Sequence, residues 1–89
     1  MRIEFDPTKR APNLEKHHID LAEAERVFEG DTLTIEDDRF DYGEQRFITI
    51  GRLERRMVVI VWTPRGAARR IISMRKANDR ELATYSPRL

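Results

Sequence analysis

The stretch MVVIVWTPRGAARRIISMRKANDRE, residues 57–81, decides how the chain folds. Its first six residues, Met57 to Trp62, form an uninterrupted apolar run of β-branched and aromatic side chains, too short for a buried helix and suited to a strand covered on both faces. That run is read as the central strand. Pro64 and Gly66 then stand where a tight turn needs them. In the strand that follows, strict alternation sets Arg69, Ile71, Ser73 and Arg75 on one side and Arg70, Ile72 and Met74 on the other. Asn78 as N-cap with Glu81 three residues on forms a capping box that opens a last short helix, which runs to about Tyr85 and is stopped by Pro87.

Working outward toward the N-terminus, LTIED (33–37) and RFITIGR (46–52) read as further strands, and RIEF (2–5) as a short one. Asp6 before Pro7 reads as an N-cap with proline at the first helical position, starting a helix toward His17. Pro12 predicts a kink or a two-part segment, because a proline ring clashes with the carbonyl four residues back. Asp20 and Glu23 suggest a capping box for a second helix, whose Leu21, Ala24, Val27 and Phe28 share one apolar face before Gly30 ends it. The expectation is a single α+β domain over residues 1–89: two N-terminal helices on one side of an antiparallel sheet of about four to five strands, with a short C-terminal helix.

A chain of 89 residues buries only about two thirds of its unfolded surface, so it supports one modest core. No apolar run approaches the roughly 18 residues of a membrane span, and MRIEFDPTK lacks the regions of a signal peptide, so a cytoplasmic protein with no membrane partner is expected. The chain has no cysteine, which excludes disulfides and thiolate metal sites. The net charge of +1 conceals a division: residues 1–45 hold 13 acids and 6 bases, residues 46–89 hold 3 acids and 11 bases. Of the 17 bases 14 are arginine, whose planar fork suits phosphate and carboxylate. Nucleic acid or an acidic protein would match such a half; equally, the two halves could neutralise one another.

Taken in order, FDPTK, NLEKH, EAERVF, GEQRFITIG, VVIVWT and RRIISMRKA followed by Arg80-Glu81 resemble the BrnT toxins of bacterial type II toxin–antitoxin systems, from Phe5 to Glu81. The most specific pieces are the spacing of Asn13, Lys16 and His17 and the closing pattern of Arg70, Ile72, Ser73, Arg75, Lys76 and Ala77. The resemblance implies a RelE-like ribonuclease fold, translation-inhibiting cleavage of RNA, neutralisation by a ribbon-helix-helix antitoxin, and contact with operator DNA only through the antitoxin complex. One position departs from the pattern: the glycine expected after the Lys-His pair is His18.

Metal-independent RNA cleavage, with no cofactor, needs a base for the 2′-hydroxyl, an acid for the leaving oxygen and fixed cations for the charge on the phosphorane. The proposed catalytic set is Lys16, His17, Glu44, Arg70 and Arg75; Lys9, Arg46, Arg52, Arg69 and Lys76 are proposed RNA contacts. Lys9, Asn13 and Lys16 fall on one helical face, a polar and basic stripe suited to facing a ligand, with His17 a turn after Asn13. His17 titrates nearest neutrality, but a histidine ending a helix also serves as a C-terminal cap. Glu44 and Arg46 share a strand face and read equally as an exposed ion pair. Trp62 reads as core rather than a stacking platform, and the acidic stretch 29–44 as a solvated strand and loop. The rival to an endoribonuclease is a noncatalytic RNA- or protein-binding module using the basic C-terminal half; what separates them is whether His17, Lys16 or Glu44 lies near Arg70 or Arg75.

Overall fold

A computed structural model describes residues 2–89. The chain runs β1 (Arg2–Phe5), α1 (Pro7–His17), a 3-10 turn (Leu21–Glu23), α2 (Ala24–Phe28), β2 (Leu33–Glu36), β3 (Phe47–Leu53), β4 (Arg56–Arg65), β5 (Ala68–Lys76), α3 (Asp79–Tyr85) and a closing 3-10 turn (Ser86–Arg88). Five strands form one sheet in the order β1-β5-β4-β3-β2. β4 is indeed central. Its Val58, Ile60 and Trp62 enter a core with Ile19, Leu21, Ala24, Val27, Ile71 and Met74, while Met57 and Val59 join Ile50 in a smaller cluster against Tyr85 and Leu89. α2 and the 3-10 turn before it thus cover one face, α1 packs along the outer edge of β5 through Asn13, and α3 covers part of the other face.

Three local expectations change. The sheet is mixed rather than antiparallel, because β1 pairs parallel to β5, Arg2 with Ala68 through Phe5 with Ile71. α1 runs unbroken through Pro12; the proline denies a partner only to the carbonyl of Thr8, in an exposed first turn that water can serve. The second helix is short and no capping box closes it. Asp20 accepts from the Ala22 amide, and the Glu23 carboxylate turns instead to Arg26 at 2.7 Å.

The strands also depart from simple alternation. A bulge opposite Val61/Trp62 pairs Val61 with Ser73 and Trp62 with Ile71, so Ile72 is the extra residue. It brings Ile71 and Met74 onto the same core face despite their odd spacing. Pro64 lies within β4 rather than in the turn, which is the two residues Gly66 and Ala67. β3 has already ended at Phe47, opposite Trp62, so β4 is an edge there and needs no amide from the proline. Gly51 has a packing reason: a Cβ on it would stand 2.6 Å from Val27 Cγ1, so only glycine lets α2 approach β3 this closely.

Asn13 closes the fold at its other edge. β1 stops opposite Ile71, leaving the outer side of β5 bare at Met74. The buried Asn13 amide fills the place of a strand, donating to the carbonyls of Met74 and Ile19 at 3.0 Å each and accepting from the Met74 amide at 3.3 Å. The side chain expected to face a ligand is a structural one, since an unmet buried backbone pair costs more than the bonds that satisfy it contribute.

Candidate active site

Register decides which arginines can act together. Arg52 lies opposite Met57, Arg70 opposite Thr63 and Arg75 opposite Val59, and Arg46 precedes Phe47, which faces the large core. All four therefore project from the sheet face that α3 covers only in part. Three of them are each held by a carboxylate: Arg46 by Glu44 at 3.1 Å, Arg70 by Glu4 at 3.4 Å, and Arg75 by both oxygens of Glu81 at 2.7 and 2.9 Å. The Arg75 fork holds the Glu81 carboxyl below its ordinary pKa, and Glu81 simultaneously receives the Asn78 amide at 2.9 Å as part of the capping box. One carboxylate thereby fixes both a helix start and an arginine.

Along the open edge of β5, α1 presents the rest. Lys9, Lys16 and His17 line a shallow groove of about 280 Å³ with Pro12, Asn13 and Ile72. His17 is half-buried at the last turn of α1. Its pKa is pushed below the ordinary imidazole value by that burial and then by the charges of Lys16, Arg75 and His18. The groove reaches β5 through Ile72 and through Asn13, whose amide bonds to Met74, the residue before Arg75. The helix end itself is closed by another residue: the His18 amide bonds to the Leu14 carbonyl, with His18 in the left-handed region at φ 60°. That conformation explains why glycine is expected at this position.

Two of the proposed RNA contacts are not brought to this face. Arg69 turns to the large core, its guanidinium carbon 4.1 Å from the centre of the Phe28 ring and 5.2 Å from that of Trp62. Lys76, opposite Val58, points to the same side at the end of β5. Trp62 is core as expected, stacked on Phe47 with centroids 4.9 Å apart and donating to the Thr49 hydroxyl at 2.7 Å. A hollow of about 520 Å³ among Leu14, Ile19, Leu53 and Val58 is lined by none of the predicted site residues.

The sequence reading missed the loop between β2 and β3. Asp37 is buried there, accepting from Arg39 at 2.7 and 3.0 Å and from the Tyr42 hydroxyl at 3.0 Å, which together hold its pKa down to about 2 against the effect of burial. The alternation of Asp37, Arg39, Phe40 and Tyr42 in DDRFDYGEQR carried a signal for it, arginines interleaved with aromatics, hidden by the surplus of acids.

Residues 5–81 match the model of a family described as the ribonuclease toxin BrnT of type II toxin–antitoxin systems. The chain belongs to that family. No curated protein matches it. The matched BrnT span includes Lys9, His17, Arg70 and Arg75, and membership of the family implies an antitoxin partner and an RNA substrate. No helix among the described residues of this BrnT chain is long and apolar enough to cross a membrane.

Proposed function

We propose that this BrnT-family chain is a cytoplasmic, RelE-like endoribonuclease that inhibits translation by cleaving RNA without a metal ion, and that a ribbon-helix-helix antitoxin neutralises it. The observation that carries the reading is the nearness of a proton carrier to the strand that bears the cations: His17 lines one groove with Ile72 of β5, the strand that carries Arg70 and Arg75. Burial and the neighbouring charges push the His17 pKa below the ordinary imidazole value, which favours the neutral form that accepts a proton. His17 takes the 2′-hydroxyl proton as the 2′-oxygen attacks phosphorus; Arg70 and Arg75 hold the charge gathering on the phosphoryl oxygens. Lys16, in the same groove, donates a proton as the bond to the 5′-oxygen breaks, leaving a 2′,3′-cyclic phosphate and a 5′-hydroxyl. Glu44 keeps Arg46 in place, and Arg46, Arg52 and Lys9 guide the flanking phosphates.

Cleavage and binding of an oligoribonucleotide, measured for His17→Ala beside Arg70→Ala on purified protein with chelator present, test this. His17→Ala should slow cleavage by about 100- to 10,000-fold and leave affinity nearly intact, because affinity comes from the cations. The rate should rise with pH through a midpoint below the ordinary imidazole range, as the base form of His17 appears, and this limb should vanish in His17→Ala. A variant that melts early yet cleaves at the wild-type rate would remove His17 from the chemistry. Binding without cleavage by the wild type would favour the noncatalytic module. In the antitoxin complex, Arg46, Arg70 and Arg75 should become protected from solvent, in an interface of standard size.

A further inference from the structure

We infer that the loop between β2 and β3 is a nucleobase-stacking shelf: Phe40, backed by Tyr42 and the Arg46 guanidinium, receives an unpaired base of the RNA beside the phosphate held by Arg70 and Arg75. This rests on the reading that the arginine face holds RNA, and adds where a base goes.

Phe40 is 67% exposed, more than any other large apolar side chain among the described residues. A lone exposed ring would mean little, but this one ends a built stack. Its ring meets Tyr42 edge-on, centroids 5.8 Å apart at 75°, and the Arg46 guanidinium carbon lies 4.0 Å over the centre of the Tyr42 ring. Tyr42 is anchored through its hydroxyl to Asp37, which is itself buried and gripped by both the side chain and the backbone amide of Arg39. The shelf is pre-organised, so a ligand would not have to order it.

Its location ties it to the cations. The Asp37 amide bonds to the Arg46 carbonyl at 2.8 Å, extending the β2–β3 ladder beyond the pair Glu36–Phe47, so Asp37 and Arg46 turn to the arginine face. The Thr63 hydroxyl then bonds to the Gln45 carbonyl at 2.6 Å, and Thr63 is the residue directly opposite Arg70. The charge of the loop decides what it can accept. Asp37 and Glu44 are neutralised by Arg39 and Arg46, while Asp38 and Asp41 have no ion-pair partner among the described residues and would repel a phosphate. A nucleobase carries no such charge, and every base offers a π face to an aromatic ring. Arginines one step away take the phosphate, and the ring takes the base.

Binding of a fluorescein-labelled single-stranded 2′-O-methyl oligoribonucleotide, which cannot be cleaved, to the full chain tests the shelf. Phe40→Ala should weaken binding by about 5- to 100-fold with its melting temperature unchanged, since the ring is exposed. Phe40→Trp should keep the wild-type affinity, with its emission quenched on binding, while buried Trp62 gives a constant background. An abasic oligomer should bind wild type and Phe40→Ala alike. If Phe40→Ala binds like wild type while Arg70→Ala does not, the shelf is wrong and the arginine face stands. If Arg70→Ala also binds like wild type, the arginine face fails and the shelf with it. If Phe40→Ala loses the antitoxin but keeps RNA, the ring is a protein contact and the inference is overturned.

Discussion

Arg69 and Arg70 are neighbours in sequence and belong to different worlds. The sheet's period of two residues sends Arg69 to the face covered by α2, where its guanidinium lies over Phe28 and Trp62, and sends Arg70 to the opposite face, where Glu4 holds it at 3.4 Å beside Arg46 and Arg75. The first face is a closed core of nine buried residues; the second has a three-residue cluster under α3 and leaves its arginines within reach of solvent. The contrast teaches that the count of arginines in this basic half says little about a site. What matters is which side of the sheet each one leaves from, and one face has been made stable so that the other can remain open.

The sharpest way to break that comparison is to truncate the two neighbours separately. Arg70→Ala should cost about 2 to 4 kcal/mol of transition-state stabilisation, seen as a fall of roughly 30- to 1,000-fold in kcat/KM, with little change in thermal stability. Arg69→Ala should do the reverse, lowering stability by about 1 to 2 kcal/mol through lost cation–π and stem packing while the folded protein cleaves normally. Equal losses of activity in both would erase the distinction between the faces.

Asn13→Ala tests whether the closed face depends on its sealed edge. The exposed amide and carbonyl of Met74 should cost about 2 to 4 kcal/mol in denaturant unfolding, whereas a small loss would show that water replaces the amide. Gly51→Ala should cost about 1 to 3 kcal/mol, because buried Val27 cannot move away from a Cβ at 2.6 Å; a neutral result would mean that α2 docks more loosely than the packing implies. The smallest effect lies at the junction of the two faces. His18→Gly relieves a left-handed backbone and should stabilise the protein by about 0.5 to 1 kcal/mol, and it also removes one of the charges that depress the His17 pKa. A pH–rate profile of this variant should therefore shift its acid limb slightly upward.

How much of this was legible in the sequence follows the range of the interactions. MVVIVW could only be a strand buried on both sides, and Asp6 with Pro7, or Asn78 with Glu81, announce helix starts through contacts two or three residues long. Such features are written locally. The family itself was legible too, in motifs spread over the chain. Nothing local told β1 to lie parallel to β5, pairing residues 66 apart such as Glu4 and Arg70, nor placed a bulge at Ile72 that returned Met74 to the core. Asn13 looked like a ligand-facing residue because its partner, Met74, is 61 residues away. The acidic loop looked solvated because its arginines and aromatics become a stack only when Asp37 is buried beneath them. The chain by itself determined which segments are strands and where the arginines stand along them; tertiary pairing alone decided their faces, since a one-residue slip in register carries every arginine to the other side of the sheet.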